Sequence, residues 1–175
     1  MARGRRPGAT GSDGPRGPAK DRALRLVGLR WRSREELRRR LRTAGYDPVE
    51  VDSALAELED LGLIDDARFA QAVVSDRATR RLSGDRAIRA TLRERGVAPE
   101  VAEEALAAAG DEADRARALA SVRAVRLAGL GPEAAFRRLF GLLTRRGFGP
   151  GVARDAARQA LQEVFSPDQV PPEEA

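Results

Sequence analysis

An all-α fold, an elongated array of three tandem three-helix repeats, is predicted by three features of the sequence: its choice of apolar residues, a 51-residue periodicity and recurrent helix-boundary chemistry. Hydrophobic residues make up 42% of the 175-residue chain but aromatics only 4%. The core must therefore be built from Leu, Ala, Val and a few Phe, and Leu and Ala favour helix where β-branched and aromatic residues favour strand.

The periodicity is carried by three segments, LRRRLRTAGYDP (37–48), IRATLRERGVAP (88–99) and LFGLLTRRGFGP (139–150). Gly45, Gly96 and Gly147 recur every 51 residues, as do Pro48, Pro99 and Pro150. Leu37, Ile88 and Leu139 keep the register, followed by Leu41, Leu92 and Leu143, and then by Ala54, Ala105 and Ala156. Several positions recurring twice at one period define a repeat. In each G-x-x-P, the glycine suits the left-handed residue that ends a helix, and the proline suits the first position of the next.

The elements follow in order. A first helix is expected over about 21–31, with counterparts over about 66–82 and 112–129 in the later units. The second helix of unit one starts at Ser33, with Glu36 three residues on as its capping-box partner. Asp47 caps the third helix, paired in the same way with Glu50. Tyr46 with Val51, Val97 with Ala102 and Phe148 with Ala153 have the spacing of hydrophobic staples. Most of these helices are too short to be stable alone, so they must bury apolar faces against their neighbours. The expected boundaries are a disordered basic tail at 1–20, repeats at 21–64, 65–110 and 111–165, and a disordered acidic tail at 166–175.

The stretch LGLIDDARFA (61–70) holds the adjacent acids Asp65 and Asp66. Leu58 and Leu61 close an apolar stripe, Gly62 ends the helix, and Asp65 caps the next one, with Ile64 and Phe69 as a further staple. Adjacent carboxylates at a helix start diverge, and no further ligand stands near them in sequence. The pair reads as structural.

Composition excludes several chemistries. Neither cysteine nor histidine is present, which removes disulfides, thiol nucleophiles, imidazole bases and the usual zinc ligand sets. No metal, cofactor or catalytic residue is expected, and the chain reads as a non-enzyme. No stretch approaches the roughly 20 apolar residues of a membrane span, so a cytoplasmic protein without membrane association is expected.

The net charge is +5, and 31 of the 32 basic residues are arginine. Arginine abundance has two readings, an anionic partner or coding composition. Its distribution says more. Residues 22–45 carry nine Arg against two Glu, and residues 47–61 carry six acids and no base. Residues 77–95 carry seven Arg against two acids, residues 100–114 six acids, and residues 115–146 eight Arg against one Glu. One reading is a molecule that meets a nucleoprotein, with arginines facing phosphate and acids facing basic protein. The other is that oppositely charged neighbouring helices pair at the surface, which contributes little. Arg38 and Arg42 lie four apart on one helix face, and Arg89 and Arg93 repeat them 51 residues on. The third copy has Phe140 and Thr144 there, with Arg145 and Arg146 nearby. These six arginines are the candidate partner-binding and DNA-binding residues. Arg68 joins them, because an acid would suit the start of its helix better.

ALRLVGLRWRSREELRRRLRTAGYDP (23–48), LGLIDDARFA and GDRAIRATLRERGV (84–97) together resemble the RecX family of bacterial recombination regulators. FRRLFGLLTRRGFGP (136–150) fits that family's less regular C-terminal repeat. The resemblance covers about residues 21–165. It implies a non-enzymatic modulator of the RecA recombinase that binds the RecA filament on single-stranded DNA and restrains its ATP hydrolysis and strand exchange. Tandem repeats make a monomer sufficient. Two other readings compete with it. A sequence-tolerant DNA-binding module of helix-turn-helix type would act without RecA, and a helical-repeat scaffold would bind some other protein.

Overall fold

Helix boundaries follow the capping chemistry of the chain. In the computed structural model, which describes residues 17–166, α1 spans Ala19–Leu29, α2 Arg34–Thr43 and α3 Pro48–Asp60. They are followed by α4 Asp66–Ser75, α5 Asp85–Glu94, α6 Pro99–Ala107, α7 Glu112–Ala124, α8 Pro132–Arg145 and α9 Pro150–Phe165. No strand occurs among the described residues. The expected tails fall outside them, except that α1 starts at Ala19, inside the segment expected to be a tail. Gly45, Gly96 and Gly147 adopt φ of +87°, +75° and +88°, and α3, α6 and α9 each start on the proline three residues later. The glycines thus supply the left-handed turn, and the prolines start helices where an amide hydrogen is not needed.

The chain divides into two units, one ending at Asp65 and the other starting at Asp66. In the first, α1–α3 enclose Leu37, Leu41, Val51, Leu55 and Leu58, all fully buried, with Tyr46 beside them. The Ser33 hydroxyl accepts the Glu36 amide, as expected of an N-cap. Asp47 accepts the amides of Val49 and Glu50. Glu50 is not its reciprocal partner: the Glu50 carboxylate accepts the first amide of α1, Ala19, at 2.7 Å. α1 follows Pro18, which offers no side-chain cap, so its orphan donor takes an acceptor from α3.

Glu36 is buried, and one of its carboxylate oxygens gathers Arg32 at 2.5 Å, Arg30 at 2.8 Å and Arg40 at 3.3 Å. The Arg32 Nε–H also donates to the Leu26 carbonyl, tying the α1 end to α2. Removing Glu36 would leave the buried Arg32 guanidinium uncompensated, at a cost of about 3–5 kcal/mol.

The turn after α3 departs from expectation in two respects. Leu61 is 63% exposed and does not extend the apolar stripe. Gly62, at φ +68°, folds the chain back so that the Leu63 and Ile64 amides both donate to the Leu58 carbonyl. That turn keeps Ile64 in the core of the first unit. Phe69 belongs to the core of the second, so the two do not form the expected staple.

In the second unit α4–α6 enclose Phe69, Val74, Ile88, Leu92, Val97 and Ala102, and α7–α9 enclose Leu119, Leu139, Leu143, Phe148 and Ala153. The remaining three staples therefore have both members buried in one core. The expected long helix over 66–82 is instead α4 followed by a π-helical turn, Asp76–Arg80. The Thr79 hydroxyl donates to the Ser75 carbonyl, the acceptor an α-helix would assign to the Thr79 amide. Such back-bonding bends helices. Likewise, α7 ends in a short 3-10 turn, Val125–Leu127, where a helix to 129 was expected.

Two features join α5 to the α8–α9 turn. The Gly84 amide donates to the Arg146 carbonyl at 3.0 Å, and the Arg86 amide to the Gly147 carbonyl at 3.1 Å. A Cβ on Gly84 would lie 2.2 Å from the Phe148 nitrogen, so only glycine fits. Glu112 of α7 accepts the amides of Asp85 and Gly149, the starts of two other helices. Buried Arg115 donates to the Ala109, Gly110 and Ser83 carbonyls and pairs with Asp85.

Candidate functional site

The two rows of arginines predicted on α2 and α5 have the same internal geometry. Arg38 reaches across to α3, where its Nε–H donates to Asp52 at 3.0 Å, and its Nη1 also pairs with Glu35. Arg89 reaches across to α6 and makes two bonds to Glu103, at 2.7 and 3.0 Å. Asp52 and Glu103 are themselves 51 residues apart, so this cross-helix ion pair is part of the repeat. Hydrogen bonding to Arg89 holds the Glu103 carboxyl below its ordinary range, and the same bond raises the Arg89 guanidinium. Arg34 and Glu59 add a further link between α2 and α3 at 2.9 Å.

Arg42 and Arg93, one turn further along the same faces, are exposed, and their guanidinium groups have no hydrogen bond or ion pair among the described residues. The surface-pairing reading of the charge blocks thus holds for the first arginine of each pair, which is used within its own unit, while the second is presented to solvent. Arg68 lies exposed in the first turn of α4. Arg146 is structural in part, since its guanidinium donates to the Arg81 carbonyl. Arg145 is exposed at the end of α8 and lines a cavity of about 270 Å³ with Arg123, Arg126 and Arg138. Sequence reasoning singled out none of those three. They come from different elements and share no register with the repeat, and only the high arginine count of residues 115–146 hinted at them.

Asp65 and Asp66 straddle the start of α4, where Asp66 is the first helical residue. Among the described residues no group of three or more acidic side chains is placed to hold a metal ion. No helix among them is long and apolar enough to cross a membrane.

These features define a class: an all-α protein of tandem three-helix domains that presents arginines from repeated faces. Two family models match the chain, "RecX, first three-helix domain" over residues 19–58 and "RecX, second three-helix domain" over residues 65–106. The chain is 35% identical over 147 residues to a protein named regulatory protein RecX from Amycolatopsis mediterranei (strain U-32), covering 83% of this chain and 84% of that one. It is 41% identical over 145 residues to a regulatory protein RecX of Mycobacterium sp. (strain KMS), covering 79% of each. Its fold resembles the crystal structure of RecX from Lactobacillus salivarius, with a TM-score of 0.74 at 22% identity over 81% of this chain and 94% of that one. The chain belongs to the RecX family of regulatory proteins.

Proposed function

We propose that this protein is a non-enzymatic regulator that binds the RecA recombinase filament on single-stranded DNA and restrains its ATP hydrolysis and strand exchange. The observation that carries this reading is membership of a family whose named relatives are regulatory proteins. The surface chemistry supports it. Arg42 and Arg93 stand at equivalent positions of two successive three-helix domains, exposed and unopposed, which suits a partner that is itself a repeating polyanion. The acids of α3 and α6 that are not paired with arginine, such as Glu104, suit the basic protein surface of the same partner.

The test is RecA ATP hydrolysis on single-stranded DNA with the Arg42→Glu/Arg93→Glu variant. Both side chains are exposed, so helix content is expected to match the parent. Inhibition should weaken at least tenfold in the protein concentration required. Unchanged inhibition by the folded variant would place the contact on another surface.

A further inference from the structure

Several arginines of this chain are opposed by carboxylates. Arg30, Arg32 and Arg40 share Glu36, Arg38 takes Asp52, Arg89 takes Glu103, Arg115 takes Asp85 and Arg137 takes Glu133. The groove between α7 and α8 breaks this pattern. Arg123 and Arg126 approach it from the end of α7 and the 3-10 turn, and Arg138 and Arg145 from α8, seven residues apart and hence on one face. Leu139 and Leu142 lie among them, and no carboxylate lines the groove. None of the four guanidinium groups has a hydrogen bond or ion pair among the described residues. The Arg123 Nε–H is shut off from solvent and left without an acceptor.

An unsatisfied buried donor costs free energy, and four like charges around one cavity of about 270 Å³ repel one another. The repulsion among the guanidinium groups is relieved when an anion enters. Gly141 contributes as well: a Cβ there would lie 3.2 Å from the Arg145 guanidinium, so its absence gives that side chain room to lie back along α8. At the 51-residue register, Arg138 stands where α2 has Glu36, and Arg145 stands where α5 has Glu94. Where the first unit gathers arginines around its own carboxylate, this groove gathers them around none.

We propose that the α7–α8 groove, built by Arg123, Arg126, Arg138 and Arg145, binds the phosphodiester backbone of single-stranded DNA. Guanidinium groups favour phosphate oxygens, which accept forked bonds from them. A linear polyanion suits a groove with two arginines on each wall, and the half-buried Leu142 between them offers an apolar surface that tolerates any base. The choice of single-stranded DNA rests on the functional reading above, whereas the need for an external anion rests on the groove alone.

The test is binding of fluorescently labelled oligo(dT), without recombinase, across a salt titration. Arg138→Glu/Arg145→Glu is compared with Arg137→Glu/Arg154→Glu, which makes the same change in net charge outside the groove. The groove variant should lose at least tenfold in affinity at low salt. Its log–log salt slope should fall by about 1.4, as expected for two lost phosphate contacts on a single strand. The control should change affinity less than about threefold and keep the parent slope. Arg138→Gln/Arg145→Gln, with unaltered helix content, should give a smaller loss of the same kind. Equal losses in groove variant and control would overturn the proposal, as would failure of the parent protein to bind oligo(dT). Parent-like binding by a groove variant that no longer restrains RecA would also overturn it, assigning the groove to an acidic protein surface. A groove variant defective on oligo(dT), from a parent that never affects RecA, would uphold the groove and remove the recombinase reading.

Discussion

At the scale of single residues, the arginines divide by what lies one helix away. Arg38 and Arg89 face an acid on the following helix and are committed to it, whereas Arg42 and Arg93 face solvent. The Arg89–Glu103 pair is exposed, so its contribution is modest, about 0.2–1 kcal/mol. Its pH dependence has a definite sign. The Glu103 carboxyl titrates lower in the folded protein than its ordinary value of 4.5. The stabilisation is therefore present above that value and is lost as pH falls through the lowered one, while Arg89 stays charged throughout. A double-mutant cycle of Arg89→Ala and Glu103→Ala should show favourable coupling at pH 7 that falls away as acid protonates Glu103 and shrinks in high salt. Coupling that persisted once Glu103 is protonated would mean that packing, and not charge, joins the two residues. This pairing was one of two readings open from the sequence, because charge blocks show that opposite helices are adjacent in the chain but not which side chains reach across.

At the scale of elements, the 51-residue period was the most legible feature. It located all three glycine turns, the prolines that start α3, α6 and α9, and the buried Leu, Ile and Ala positions. These are dictated by local conformation and by helical spacing, both of which are written in the chain. What was not legible depends on distant partners. Glu50 caps α1 across 31 residues in place of completing its own capping box. Ile64 folds back onto α3, and the end of the expected long helix is a π turn. The contact of Gly84 with the α8–α9 turn joins segments more than 60 residues apart, and nothing in the sequence marks that glycine as special. Gly84→Ala should therefore destabilise the protein by about 1–3 kcal/mol or more, as overpacking against fixed backbone does. Gly129→Ala, where an added Cβ meets nothing, should be close to neutral. Equal denaturation midpoints for the two variants would contradict the close approach at Gly84.

At the scale of the whole molecule, the family could be read from motifs that are mostly fold determinants. Ser33, Asp47, Gly62 and the G-x-x-P turns set helix ends, a role complete within the fold itself. The candidate interface was legible only in part. Arg42 and Arg93 follow from the repeat, but Arg123, Arg126 and Arg138 converge only once α7 and α8 are packed. Regulation of a recombinase filament makes a demand that free DNA binding does not: the protein must act after the DNA is already covered. The most direct measurement is RecA ATP hydrolysis on pre-formed filaments, with this protein titrated well below one molecule per recombinase subunit. A filament regulator should inhibit strongly at those low ratios, because each bound molecule disturbs the filament beyond the subunits it touches. Inhibition only when the protein is added before RecA, with none on pre-formed filaments, would contradict filament regulation and leave a protein that competes for DNA.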